Sequence, residues 1–182
     1  MTALITMHNA VFDWLDRQSG LILPTLARFV FAAVLLIYFW KSAATKVGSG
    51  IFGIFSPSDG AYVQIFPRAM EAASYDSSQL GVFYWAVALL GTWAEFILPA
   101  LIVVGLFSRL ASIGMIGFVI LQSATDIVGH GATDAKTLGA WFDAASGSLI
   151  MDQRTLWIMV LLVIVVKGGG PLSLDRLTGR IS

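Results

Sequence analysis

The chain is a succession of long apolar runs separated by polar breaks, and the runs have the length of a membrane crossing. A hydrocarbon core about 30 Å thick takes about 20 helical residues to span. Residues 21–40, "LILPTLARFVFAAVLLIYFW", make the first run, with Pro24 in its opening turn, where a missing N–H is tolerated, and Arg28 as its cation. Residues 82–107 make the second, in which Glu95 is the lone charged residue. Residues 110–128 make the third, carrying Gly114, Gly117 and Ala124 and followed by Gly129 and Gly131, which can end a helix. Residues 152–167 make the fourth. Its apolar core, "TLWIMVLLVIVV", is short and reaches spanning length only with "IMDQR" before it and Lys167 after it at the interface. The pattern predicts an all-α integral membrane four-helix bundle, one domain over 1–182.

The breaks carry their own signals. "MTALITMHNAVFDWLDRQSG" places Asp13, Asp16 and Arg17 where a signal peptide would be apolar, and reads as an amphipathic N-terminal helix lying at the interface. A tight turn, "GLFSR", joins spans two and three, whereas long loops join one to two and three to four. Those loops contain "GSGIFGIFSPSDGAYVQIFPRAM" and "LGAWFDAASGSLI", too apolar for disordered spacers. Short helices folded over the outer mouth of the bundle would bury these groups; a cap that docks a partner protein or a second copy is the alternative. Tyr38, Trp40, Tyr84, Trp85 and Trp157 fall at the loop-side ends of the spans and predict one aromatic belt.

Composition strengthens the membrane reading: 57 % of residues are hydrophobic and 12 % charged, about half the charge of a soluble domain. Eleven basic and eleven acidic residues leave no net charge and no basic footprint for nucleic acid. Cysteine is absent, which excludes disulfides and thiolate chemistry. Arg17, Arg28, Arg109, Lys167, Arg176 and Arg180 share the side of the termini, against Lys41, Lys46, Arg68, Lys136 and Arg154 opposite. Because Arg109, Lys167 and Arg176 lie close to span ends and long loops weigh less, both termini are expected in the cytoplasm.

A carboxylate at mid-span needs a partner or a function. Helical spacing puts Ala88, Gly91, Thr92, Glu95 and Pro99 on one stripe, whose small residues suit close helix approach, so Glu95 should face the interior. Counted from the "GLFSR" turn, Glu95 lies ~15 Å into its span and Arg28 ~10 Å into the first. Three readings follow. Arg28 and Glu95 form a structural ion pair; Glu95 carries or accepts a proton at the polar floor of a cavity for a quinone, substrate or ion; or Arg28 snorkels to the interface and Glu95 is protonated. Gln122, Asp126 and His130 recur at intervals of four, a weak pattern for a divalent metal completed by Asp134 or a loop residue; solvated helix-end groups and an ordinary His–Asp hydrogen bond compete with it. His8 and His130 fall on opposite sides of the bilayer, so they cannot together hold one haem within a monomer. There is no Gly-rich nucleotide loop, serine-nucleophile elbow or zinc-hydrolase spacing. Redox chemistry would have to run through a lipid-soluble quinone or a partner's centre.

Three segments together resemble the DoxX family. "LARFVFAAVLLIYFWKSAATK" is similar to its opening span, with an early Arg and a Lys at the far end. "WAEFILPALIVVGLFSRLASIG" is similar to its Glu-bearing second span and Gly-Leu-x-x-Arg turn. "KGGGPLSLDRL" is similar to its Gly-Pro-x-Ser-Leu-Asp ending. The resemblance points to Arg28, Lys46, Glu95, Arg109 and Asp175, and implies a four-helix protein of the bacterial inner membrane. The family's name comes from membrane subunits related to thiosulfate:quinone oxidoreductase, and some members are linked to oxidative-stress complexes or metal handling. On this reading Arg109 fixes topology at the cytoplasmic turn and Lys46 snorkels at the interface or contacts a quinone or anion. Asp175 starts or caps a short terminal helix. Function then divides between a redox-linked, quinone-associated membrane subunit using Glu95, Arg28, Lys46 and Thr92, and a non-catalytic anchor or assembly partner; a carrier for a metal or small anion ranks third. The first requires a cavity reaching Glu95. The second permits a tightly packed core and requires an exposed apolar loop surface.

Overall fold

The computed structural model describes residues 2–179, so Arg180 lies outside the described residues. Its elements are α1 (Thr2–Ala44), α2 (Asp59–Ile65), α3 (Pro67–Ala72), α4 (Val82–Val104), α5 (Ser108–Gly129), α6 (Leu149–Lys167) and α7 (Leu174–Leu177). Helices α1, α4, α5 and α6 are each long and apolar enough to cross a membrane. No strand occurs among the described residues, only one antiparallel bridge between Val47 and Pro57.

Local sequence explains most boundaries. Helix α4 stops where Gly105 takes φ +76° and Leu106 donates its N–H to the Leu101 carbonyl, a left-handed closure that glycine makes without strain. Helix α6 begins three residues before the expected span because Ser148 and Asp152 cap each other: the Ser148 N–H donates to Asp152 and the Asp152 N–H to the Ser148 hydroxyl. The Ser58 hydroxyl caps α2, and Pro67 opens α3.

Three expectations are corrected. The N-terminal segment is not a separate surface helix, because α1 runs without a break from Thr2 and relaxes only into a π-turn at Ala32–Leu36. Gly20 alone, worth about 1 kcal/mol against helix relative to alanine, is too weak a breaker. Pro24 consequently lies inside the helix rather than in its first turn, opposite Gly20, whose carbonyl its missing N–H would have served. The first long loop does fold as short helices, α2 and α3, which bury Ala61, Tyr62 and Met70 against Ala88 of α4. The second has no helix before Leu149. There Gly139 at φ +69° packs so closely on Ser148 that a Cβ would overlap its hydroxyl, and the Asp134 and Asp143 side chains accept from backbone N–H groups to make turns instead. Finally, the aromatics do not form one belt. The Trp40 indole donates to the Phe96 carbonyl at 3.1 Å, eleven residues or ~16 Å below Trp85 along α4.

All four long helices feed one core, in which Phe31, Phe39, Ile102, Met115, Leu161 and Ile164 are fully buried. Helix α1 packs on α4 and α6, and α5 packs on α4 and α6. Large apolar side chains such as Phe29, Val34, Leu110, Leu156 and Val166 are exposed around the outside.

At the end holding the termini, charged side chains close the helix ends. Phe107, at φ +50°, has no side-chain oxygen to cap α5. Asp175 does so instead, accepting from the Phe107 N–H at 2.7 Å, the Ser108 N–H at 2.8 Å and the Ser108 hydroxyl at 2.7 Å. Its expected role at the terminal helix belongs to Ser173, whose hydroxyl accepts from the Arg176 N–H. Arg109 reaches the Val165 carbonyl near the end of α6 at 3.1 Å, a favourable place for a cation.

Burial pushes the Asp175 carboxyl up, but the Ser108 and Phe107 donors and the Arg28 charge outweigh it, leaving the group below the usual carboxylate range. A depressed folded value gives stability that is present above the unfolded value of about 3.9 and lost as pH falls through the folded one. Thermal melts between neutral pH and pH 3 should therefore fall more steeply in the wild type than in Asp175→Asn. Parallel curves would remove Asp175 from the acid transition.

Candidate functional site

Helix α4 turns the expected stripe inward: Ala88, Thr92, Glu95 and Pro99 are all buried. Lys46 follows α1 by two residues, and its N–H still donates to the Ala43 carbonyl. Its side chain runs back along the helix, and the ammonium lies 3.0 and 2.9 Å from the two Glu95 carboxylate oxygens and 2.7 Å from the Ser42 hydroxyl. That hydroxyl is in turn 3.3 Å from Glu95 Oε1. Glu95 is 2 % exposed and Lys46 5 %. The arrangement meets the condition for burying charge, since each head is paired and hydrogen-bonded.

The partner of Glu95 is therefore Lys46, not Arg28, and Lys46 does not snorkel. Arg28 lies nearer the termini. Its Nε donates to the Ile102 carbonyl at 3.0 Å and its Nη atoms to the carbonyls of Val103, Gly169 and Leu172. Ile102 is seven residues beyond Glu95, ~10 Å along α4. The reason is directional: helical side chains lean toward their own N-terminus, so Arg28 on ascending α1 and Glu95 on descending α4 reach apart. Thr92 also drops out, because its hydroxyl donates to the Ala88 carbonyl of its own helix at 2.8 Å.

Beside the charge pair is a cavity of about 570 Å³, within the range of small-molecule sites. Helices α4 and α5 form its walls, Gln64 and Ile65 of α2 cover it, and Ser42, Lys46 and Glu95 close one side. Gly91, Gly114 and Gly117 line it without side chains; Gly114 lies close against Leu98 of α4, whereas a Cβ at Gly117 would meet nothing within 4 Å. Leu90 and Leu121 on the rim are 61 % and 69 % exposed, so the cavity opens sideways between α4 and α5 toward the apolar outer surface.

The opposite end holds Gln122, Asp126 and His130, which share one face as their spacing implies. Two of them are engaged by other groups. Asp126 makes an ion pair with Arg154 at 2.7 Å, and His130 Nε2 lies 3.0 Å from the Gln64 carbonyl. Among the described residues no group of three His, Cys, Asp or Glu side chains comes together. Gln122 Nε2 is 3.4 Å from the Tyr38 hydroxyl, and its Oε1 is buried without a hydrogen-bond partner.

Arg154, Ser42 and Gln64 were not singled out by sequence reasoning. Arg154 was assigned to the interface, yet its side chain is 3 % exposed and also donates to the Ser123 hydroxyl at 3.0 Å. The available signal was charge complementarity: Arg154 and Asp126 stand near the same ends of consecutive spans. No protein-family model, curated protein or solved structure matches the chain.

Proposed function

We propose that the chain is a multi-pass protein of the bacterial cytoplasmic membrane, a DoxX-like four-helix bundle with both termini in the cytoplasm, and that its cavity binds the ring of a lipid-soluble quinone as part of a redox-linked membrane complex. The observation that carries this reading is a cavity of about 570 Å³ with mostly apolar walls, an opening between exposed leucines and one buried charge pair at its side. A molecule arriving from hydrocarbon could place its ring against Glu95 and leave its tail between Leu90 and Leu121. The chain's groups suit such a ring: Lys46 can donate to a ring carbonyl by turning one N–H away from Glu95 or Ser42, and Gln122 Oε1, now without a partner, can accept from a ring hydroxyl. Glu95 would take up or release the proton while Lys46 and Ser42 hold its negative charge. A bound quinone would supply the electron-carrying capacity that these side chains lack.

A specific feature also favours an anchoring or assembly role. Trp141 and Phe142, in the second long loop, are 60 % and fully exposed, as a docking surface for a partner or a second copy would be.

Gly117→Leu separates the readings, because it fills the cavity from a position with open space and replaces glycine by a better helix former. Native mass spectrometry of the detergent-purified protein should show co-purifying quinone in the wild type, less in Glu95→Gln and none in Gly117→Leu, with the melting temperature of Gly117→Leu undiminished. Equal quinone in wild type and Gly117→Leu, or none in the wild type after reconstitution with quinone, would overturn the pocket.

A further inference from the structure

The segment between Lys46 and Asp59 is a closed loop packed against α4. Its neck is pinned where the Ser58 N–H donates to the Lys46 carbonyl at 2.9 Å and Val47 bridges to Pro57. Its returning limb lies against α4: Trp93 donates its indole N–H to the Ile54 carbonyl at 2.8 Å, and the Phe55 ring meets Trp93 edge-on with centroids 5.7 Å apart. Trp93 stands eleven residues after Val82, ~16 Å below the start of a helix only about 34 Å long. Even allowing for the indole leaning back toward the helix start, Ile54 and Phe55 sit inside the span of α4.

Its chemistry matches that depth. No ionisable residue occurs between Lys46 and Asp59. The backbone satisfies much of its own hydrogen bonding: the Gly48 N–H donates to the Gly53 and Ser56 carbonyls, and the N–H groups of Gly53, Phe55 and Ser56 donate to Gly50, Phe52 and Gly53. This curl needs glycine at 48 and 53, where a Cβ would overlap the Ser56 and Gly48 carbonyls. Turned outward are Ile51 at 95 % exposure and Phe52 at 77 %. Lipid-exposed irregular backbone does not enter the hydrocarbon, but a surface segment can lay apolar side chains into the headgroup–acyl boundary while its own backbone stays at the polar interface.

We infer that residues 50–55 form a membrane-dipping loop whose occupant is the headgroup–acyl boundary of the bilayer leaflet on the loop side, so that the Ile51 and Phe52 side chains contact lipid rather than water or another protein while the backbone around them stays at the polar interface. Continuity with the exposed apolar surface of α4, where Ile97 is 50 % exposed, argues for lipid. This inference rests on the membrane-spanning reading, and its test distinguishes failure of the two.

Because the chain has no cysteine, single nitroxide labels can be placed at Ile51→Cys, at Ile97→Cys on the outer face of α4 and at Glu71→Cys at the end of α3. In phosphatidylethanolamine–phosphatidylglycerol vesicles, the ratio of oxygen to nickel-chelate accessibility should be severalfold higher at positions 51 and 97 than at 71. A low ratio at 51 with a high one at 97 overturns the loop and leaves the span standing. Low ratios at 51 and 97 alike would overturn both. Low accessibility to both reagents at 51 would mean a protein contact, from a second copy or a bound partner, and would overturn lipid as the occupant.

Discussion

Lys46→Met is expected to destabilise the protein by about 3–5 kcal/mol, the usual consequence of removing one member of a buried ion pair. Methionine nearly reproduces the length of the lysine stem, so the change is mainly one of charge. It strips both Glu95 oxygens of their 2.9 and 3.0 Å contacts and leaves Ser42 at 3.3 Å as the remaining donor to the carboxylate. Glu95→Leu alone should be milder, because Lys46 keeps its contacts with the Ser42 hydroxyl and carbonyl and can swing its flexible stem toward the loop end. The double variant Lys46→Met/Glu95→Leu should recover most of the loss, since a matched apolar pair has no charge left to solvate. A thermodynamic cycle from thermal melts in detergent measures the coupling. Additive losses would mean that the two groups are not energetically joined, and Lys46 would revert to an interfacial residue.

This pair also marks where the sequence was informative. An isolated carboxylate in a 23-residue apolar helix, on a stripe of Ala88, Thr92 and Pro99, could be placed inward from spacing alone, and it lies there. Its partner could not be placed, because counting residues from a turn locates a Cα and not a side-chain head. Arg28 within the first span and Lys46 just beyond its far end were both available. The choice between them depended on side-chain direction and on the carbonyls at the end of α4, which offered Arg28 a better site than a carboxylate ~10 Å away. Asp175 and Arg154 were illegible for a related reason. Each satisfies a group far away in the sequence, Asp175 the N–H groups of Phe107 and Ser108 and Arg154 the Asp126 carboxylate, and such contacts follow no local period. The extents of α4, α5 and α6 were legible to within a few residues because the apolar pattern itself sets them; that of α1 was not, because the lone Gly20 is a weak signal for either a break or a continuous helix.

Arg28→Met should have an effect of similar size, about 3–5 kcal/mol, by a different route. The guanidinium donates to four carbonyls: those of Val103 and of Ile102, which also accepts the Gly105 N–H at 3.2 Å, at the end of α4, and those of Gly169 and Leu172, in the turn leading to α7. Each buried carbonyl left without a donor costs about 1–3 kcal/mol, partly offset where water can enter. The same cation acts on Asp175, which caps α5, so its removal loosens both sides of the turn between α4 and α5. Gly105 allows this approach: a Cβ there would stand 2.8 Å from the Arg28 guanidinium carbon and 2.6 Å from Ser173 Cβ. Arg28→Lys should rescue little, because an ammonium has three donors around one atom and cannot reproduce a planar fork that reaches two separate pairs of carbonyls. Thermal melts of the two variants beside Asp175→Asn provide the check. If lysine restored wild-type stability, Arg28 would be acting as a simple positive charge at the membrane interface. If neither variant lost stability, the carbonyls at the end of α4 would have to be satisfied by water, and the terminal segment would not be fastened to the helices through this residue.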